Sequence, residues 1–449
     1  MLDAFRPDDV PADALGGSLR DFRNLAGSDL LARVQPFYTW QQRRRAHGVW
    51  PYAKATEGAP LPVCTARDEA GHVVHGVNFA SQDYLGLASH PAIKEVAKAT
   101  IDEYGVHSAG SPALAGNTKY SRRLEACLAD FLGMEHVVLY PTGWAAGFGA
   151  IRGLVREQDH VVIDGLAHAC LQEGAAAATR NMHLHAHLGL ASLRRILSRI
   201  RQRDAVNGIL VVTESLFSMD SDTPDLDAMQ SLCREFGAVL MVDVAHDLGC
   251  LGPDGGGHVA AQGLRGRIDL VMGSFSKTFA SNGGFVASRS PAVREYLKYY
   301  GSSATFSNAL SPVQCATVLK AFEIVRSAEG QTRRDMLLDR IVHLRQALQG
   351  AGFAVLGDPS PIVPALVGGE AVARRVVRHL QQLGMLVNLV EYPAVAKGRA
   401  RLRLQVMATH TRRHAEALVE QLTAAVAACG GASVHRPAPQ PADELAAAI

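Results

Sequence analysis

From about residue 76 the chain alternates two patterns. Short runs apolar at nearly every position, at 136–140, 160–163, 208–212, 238–242 and 269–272, are separated by longer stretches with apolar residues at helical spacing, such as 144–155 and 226–236. Strand-length runs rich in Val, Ile and Leu are the mark of strands buried on both faces, and their alternation with helices predicts a mostly parallel sheet covered on both sides. Residues 283–287 read as one more strand, pinned by two glycines. Beyond 326, helices over 334–348, 370–383 and 412–427 alternate with strand-like 362–366 and strands near Leu386 and Arg401, a small α+β pattern. Pro51, Pro60 and Pro62 break up the first 75 residues. The expected organisation is an N-terminal arm (1–75), a large domain (76–325), a small domain (326–429) and a Pro- and Ala-rich tail (430–449) expected to be disordered.

Composition narrows the function classes. The 449 residues are 48% hydrophobic with a net charge of +2, and the interspersed charges give no footprint for nucleic acid. The one basic run, Arg43-Arg44-Arg45, reads as a solvated helix face. Seven cysteines without a CxxC pair argue against a disulfide framework or a zinc cluster and for a reducing compartment; no metal is expected. The first residues carry acids where a signal peptide needs bases, and no apolar run approaches a membrane span of ~18 residues. A cytoplasmic protein is expected.

Open α/β sheets place their active sites at the carboxyl ends of the strands, and reactive residue types fall there repeatedly. Thr142-Gly143-Trp144 follows one strand and His168 another. Glu214 to Ser218 follow a third, Asp243 and His246 a fourth, Ser274 and Lys277 a fifth. Each alone is an ordinary turn or surface residue. Together they form a chemical set. A lysine among small and hydroxyl residues can form an imine with an aldehyde cofactor, and a carboxylate can keep a pyridine nitrogen protonated so that the ring withdraws electrons. A helix entered through Gly143 offers backbone N–H groups and a positive dipole end to a phosphate, to which Ser274 adds a hydroxyl. His168 can lie flat on a pyridine ring, and His246 is placed to hydrogen-bond its phenolic oxygen.

Seven motifs in register carry a family resemblance over residues 76–425. They are Asn78-Phe-Ala-Ser-Gln-Asp-Tyr-Leu-Gly-Leu87, Leu139-Tyr-Pro-Thr-Gly-Trp144, Asp164-Gly-Leu-Ala-His168, Glu214-Ser-Leu-Phe-Ser-Met-Asp220, Asp243-Val-Ala-His246, Gly273-Ser-Phe-Ser-Lys277 and Arg401-Leu-Arg403 with Ala408-Thr-His410-Thr. The chain resembles the α-oxoamine synthases, fold-type I pyridoxal-phosphate (PLP) enzymes. That family contains 8-amino-7-oxononanoate synthase, glycine C-acetyltransferase, 5-aminolevulinate synthase and serine palmitoyltransferase. The resemblance implies an aminotransferase-like fold with a mostly parallel seven-stranded sheet, helices on both faces and a small C-terminal α+β domain.

By the resemblance, Lys277 is the Schiff-base lysine, Asp243 the pyridine-nitrogen partner, His246 the phenolic-oxygen partner and His168 the stacking base. Thr142, Gly143, Trp144, Glu214, Ser218 and Ser274 are expected around the cofactor. Thr305, in Ser302-Ser-Ala-Thr305-Phe-Ser307, is expected to reach a neighbour's cofactor phosphate in a homodimer. Arg403 resembles the residue that grips the amino-acid carboxylate; Arg401 is the alternative, with only one of the two expected to point into the site. Gln82 stands where relatives carry an Asn that can touch that carboxylate. Val244 replaces a Glu and Asp247 a Ser, and the loop from Gly252 to Gly257 lacks a frequent arginine, which makes this a divergent member.

The activity implied is a decarboxylative Claisen condensation. A small L-amino acid and an acyl thioester, on coenzyme A or a carrier protein, give an α-amino ketone, carbon dioxide and free thiol. The alternatives are other fold-type I chemistries: a carboxylate-retaining C-acyltransferase, an aminotransferase or a lyase. A lysine-less partner subunit is disfavoured because Lys277 is present. A nucleotide-binding module is disfavoured because neither GxxxxGK[ST] nor GxGxxG follows a strand.

Overall fold

The computed structural model describes residues 10–430, so the tail expected to be disordered lies, apart from Gly430, outside the described residues. The chain forms two compact units. One runs from Gln82 to Ser218 and from Asp222 to Asp335; the other comprises the residues up to Ser81, Met219–Ser221 and the residues from Met336 onward. The sequence boundaries at 75/76 and 325/326 compare with 81/82 and 335/336 here.

The first unit is built on seven strands: β1 (His136–Tyr140), β2 (His160–Asp164), β3 (Met182–His185), β4 (Ile209–Glu214), β5 (Val239–Asp243), β6 (Leu270–Ser274) and β7 (Gly284–Ser288). Their order is β1-β7-β6-β5-β4-β2-β3. All neighbouring pairs are parallel except those of β7, which runs antiparallel to both β1 and β6. Every residue of β4, β6 and β7 is buried, so both faces of the sheet are covered, as their unbroken apolar sequences require. This is the expected aminotransferase-like sheet. The strand the sequence did not announce is β3. It lies at the sheet edge and carries His183 and His185, so it lacks the continuous apolar signal of a central strand.

Two helices matter for the site. Helix α1 (Gly143–Leu154) starts at Thr142, whose hydroxyl accepts the Ala145 N–H at 3.0 Å. Helix α2 (Ala169–Ala178) starts at His168, whose ring accepts the Cys170 N–H at 3.3 Å. Each side chain satisfies a first-turn N–H that no helical carbonyl can reach.

The second unit contains a three-stranded antiparallel sheet of β8 (Ile362–Gly368), β9 (Asn388–Val390) and β10 (Ala400–Gln405), with β10 central. Strands Val63–Arg67 and Val73–Asn78 pair as a hairpin extended by Met385–Leu386, so the proline-broken arm does hold a sheet. The basic run is not uniformly solvated. Arg44 is fully buried, stacked 4.1 Å over the Trp40 ring, and donates to the Ala14 carbonyl at 3.2 Å. Its charge is balanced within the unit by buried Glu391, which also pairs with Arg374 at 2.7 Å. Among the described residues no helix is long and apolar enough to cross a membrane.

Candidate active site

Parallel strands deliver their carboxyl ends to one edge of a sheet, and the register of β4, β5 and β6 makes Glu214 and Asp243 direct neighbours there, with Asp243 beside Met272. A cavity of about 230 Å³ opens at this edge. Nine of the expected residues line it: Thr142, Gly143, Trp144, His168, Glu214, Asp243, His246, Ser274 and Lys277. A larger cavity, about 420 Å³, sits at the other ends of the strands against Ile209, Val239 and Leu270; it is mostly apolar and contains none of the expected reactive groups.

The start of α1 is pressed onto the ends of β6 and β7. A Cβ on Gly143 would stand 2.4 Å from the Ser274 Cβ, and one on Gly284 would stand 2.6 Å from the Gly143 Cα. Only glycine permits that approach, which brings the first N–H groups of α1 beside the hydroxyls of Ser274 and Ser276, themselves 2.7 Å apart. Backbone donors, two hydroxyls and a helix dipole make a ready anion cradle.

Around the rest of the cavity the charges are arranged in pairs. Asp243 is buried and accepts the Ala245 N–H at 2.9 Å; burial pushes its carboxyl up, and the nearby charge of Lys277 pulls it only part of the way back. Glu214 accepts the backbone N–H of His168 at 2.6 Å, while burial and the neighbouring Asp243 charge hold its carboxyl well above the usual range. Two buried carboxyls side by side cannot both ionise cheaply. His168 also lines the cavity, with Nδ1 3.0 Å from the Cys170 sulfur. His246 is buried, and its Nδ1 lies 2.9 Å from the Tyr84 hydroxyl. An anion cradle, a lysine and a buried carboxylate in a cavity also lined by two imidazoles match the groups that PLP presents: a phosphate, an aldehyde, and a pyridine ring with a phenolic oxygen.

Comparison with known proteins agrees. The model of the aminotransferase class I and II family matches residues 74–422. An 8-amino-7-oxononanoate synthase from Coprothermobacter proteolyticus is 33% identical over 348 residues, covering 78% of this chain and 87% of that protein. A 2-amino-3-ketobutyrate coenzyme A ligase from Salmonella typhimurium is 32% identical over 383 residues, 85% and 92% of the two chains. A solved structure of serine palmitoyltransferase from S. paucimobilis with a bound PLP–myriocin aldimine superposes with a TM-score of 0.83 at 27% identity, covering 90% of this chain and 99% of that one. The chain belongs to the α-oxoamine synthases. It is a PLP-dependent acyltransferase of the aminotransferase-like fold.

Not every expected residue of the enzyme falls in the cavity. Ser218 is buried but does not line it. Thr305 is turned to its own chain, donating to the Lys298 carbonyl at 2.8 Å. Gln82 does not line the cavity either. Arg401 and Arg403 stand two positions apart on β10, so the pleat puts both on one face and alternation cannot choose between them, contrary to expectation. Their surroundings do differ. Arg401 is fully buried and ion-paired with Asp220, whereas Arg403 is half-buried, and the Gln405 amide, turned oxygen-first, accepts from its Nε at 2.9 Å.

The substituted residue Asp247 has a structural task. Fully buried, it accepts the Ser215 hydroxyl at 2.8 Å and the His258 N–H at 2.7 Å, anchoring the loop that ends at Gly257. The sequence reading missed Cys170, Met272, Ser276 and Asn282 in the cavity wall, and Tyr84 behind it. Only Tyr84 and Ser276 stood inside a quoted motif.

Proposed function

We propose that the enzyme joins a small L-amino acid to an acyl thioester, carried by coenzyme A or a carrier protein, with loss of carbon dioxide and thiol. The observation that carries this reading is the set of nine residues brought from five strand ends to one cavity, in a chain whose relatives are named as makers of amino ketones and amino-keto acids. PLP bound there supplies an electron sink for a carbanion at the amino-acid Cα. The chain's own groups do the rest. Lys277 would hold the cofactor through its Nζ, and the same amine, when free, would take the Cα proton. The Asp243 carboxylate keeps a proton on the pyridine nitrogen, which stabilises charge developing in the transition state. His168 would cover the ring, and His246 would hydrogen-bond the phenolic oxygen. The first N–H groups of α1, with Thr142, Trp144, Ser274 and Ser276 around them, hold the phosphate. Glu214 acts through the His168 backbone, holding that loop in place, and Ser218 is assigned to the cofactor's surroundings beyond the same strand end.

Arg403 is assigned to the amino-acid carboxylate, which a guanidinium can grip with two parallel hydrogen bonds; Arg401 is committed to Asp220. Gln82 is the companion residue whose side chain tunes which amino acid is accepted. A homodimer completes the enzyme. Ser111 donates to the Thr305 carbonyl at 2.6 Å and Ala309 to the Gly110 carbonyl at 2.9 Å, tying together two segments that expose Val106, Leu114 and Phe306. Large apolar side chains exposed on two tied segments are what a second copy would cover. Thr305 then serves the neighbour's phosphate by turning its hydroxyl away from the Lys298 carbonyl. The cytoplasm is the proposed location, in keeping with seven unpaired cysteines.

The carboxylate-retaining reaction is the nearest second reading, favoured by the similarity to a 2-amino-3-ketobutyrate ligase. Mass analysis of products from a panel of amino acids and acyl thioesters tests the proposal. An α-amino ketone lacking the amino-acid carboxyl supports it, and a keto acid with no new carbon–carbon bond contradicts it.

A further inference from the structure

Tyr84 is completely buried, on a turn that little can move. The Asp83 carboxylate accepts the N–H groups of Leu87 and Ala88 at 2.8 and 3.0 Å. Arg333 donates to the Leu85 carbonyl at 2.9 Å, and Leu85 and Leu87 have no exposed surface. From this fixed turn the phenol oxygen reaches to 2.9 Å from Nδ1 of His246. A buried hydroxyl left without an acceptor is costly, and so is a buried ring nitrogen, so the contact is a hydrogen bond whose direction has chemical consequences. If the phenol donates, Nδ1 carries the lone pair and the ring proton resides on Nε2. If the phenol accepts, Nδ1 carries the proton and Nε2 is bare. Only the first arrangement makes His246 a donor on the side of the ring away from Tyr84, and a phenolic oxygen needs a donor.

The other cavity histidine shows the same arrangement without ambiguity. Nδ1 of His168 accepts from the backbone N–H of Cys170, a group that can only donate. The neighbouring Cys170 thiol, 3.0 Å away, is kept as S–H by its burial. Both imidazoles of the site are therefore tied at Nδ1 by residues that stand behind them.

We infer that Tyr84 is a positioning residue of the active site: its hydroxyl donates to Nδ1 of His246 and fixes the proton on Nε2, so that this histidine meets the cofactor as a hydrogen-bond donor. The direction of the hydrogen bond, and with it the tautomer, rests on the function proposed above; the 2.9 Å contact itself does not. Tyr84 itself does not line the cavity.

Two measurements on the full-length, PLP-loaded protein decide it. In protein labelled with ¹⁵N at histidine, the ring signals of His246, identified by their loss in His246→Ala, are expected to show the Nε2-protonated neutral form. Tyr84→Phe, which keeps the ring and removes only the hydroxyl, is expected to give a mixture of tautomers. An Nδ1-protonated ring in the wild type, or an unchanged pattern in Tyr84→Phe, overturns the inference. PLP affinity by equilibrium dialysis supplies the second readout. Tyr84→Phe should weaken binding about 2- to 12-fold, the worth of one net hydrogen bond, and should cause no further loss in a His246→Ala background. An equal loss in both backgrounds marks a packing effect and overturns the positioning role. If His246→Ala itself binds PLP as tightly as the wild type and with the same visible spectrum, the reading of His246 as a cofactor ligand falls, while the ¹⁵N result still decides the tautomer.

Discussion

Gly143→Ala is the sharpest probe of how the site is built. The added Cβ would lie 2.4 Å from the Cβ of Ser274, 2.5 Å from its Oγ and 3.2 Å from its Cα. The hydroxyl could rotate away, but Cβ and Cα are fixed to strand β6. Restoring an ordinary contact of 3.4 Å requires the start of α1 and the end of β6 to part by about 1 Å. Overpacking of this kind costs about 1–3 kcal/mol, and it falls on the N–H groups and hydroxyls assigned to the phosphate. If the cost falls on the bound state, PLP affinity drops by roughly 5- to 150-fold, taking about 1.4 kcal/mol per factor of ten. The assay is titration of cofactor-free enzyme with PLP, followed by absorbance, for the wild type, Gly143→Ala and the control Gly350→Ala. Nothing lies within 4 Å of a Cβ at Gly350, so the control should bind like the wild type. Gly143→Ala binding PLP within twofold of the wild type would refute the cradle.

Three further outcomes are expected. His187 bridges Asp164 and Asp222 at 2.9 Å each; burial works to lower its ring, but the two carboxylates hold it up at about 10. Its contribution to stability is thus complete below the ordinary value of about 6.5 and is lost as pH rises through about 10, so His187→Gln should flatten the fall of the urea midpoint over that alkaline window; an unchanged slope contradicts the assignment. Asp243→Asn should lower kcat by about 10²–10³-fold without lowering the melting temperature of the cofactor-free protein, because it removes a buried charge beside Glu214; a clear drop in melting temperature would mean that Asp243 holds the fold. Arg401→Ala should cost about 3–5 kcal/mol by stranding Asp220, whereas Arg403→Ala should keep its stability within about 1 kcal/mol and raise the amino-acid KM; the reverse pattern would exchange their roles.

The central strands were legible because burial on both faces leaves a continuous apolar run, and the site was legible because those runs end in Glu214, Asp243 and Ser274. The edge strand β3 was hidden because one side has no neighbour and admits histidines. The hairpin of Val63–Arg67 and Val73–Asn78 was obscured by nearby prolines and by short strands with few buried positions. Nothing in Arg43-Arg44-Arg45 tells which arginine is buried; Glu391, far along the chain, decides that. Cys170 reads as one more small residue in an alanine-rich helix, and its place beside His168 follows from a cap geometry that only the folded chain shows.

The central claim is the condensation itself. The direct measurement incubates PLP-loaded enzyme with a carboxyl-labelled L-amino acid and an acyl thioester, following thiol with a disulfide reagent and labelled carbon dioxide by trapping. One thiol and one labelled carbon dioxide per amino ketone is the predicted result. Thiol without labelled gas would replace the decarboxylative reaction with the carboxylate-retaining one. Neither signal, across donors on coenzyme A and on carrier protein, would contradict the condensation and leave the enzyme as a PLP protein of some other chemistry.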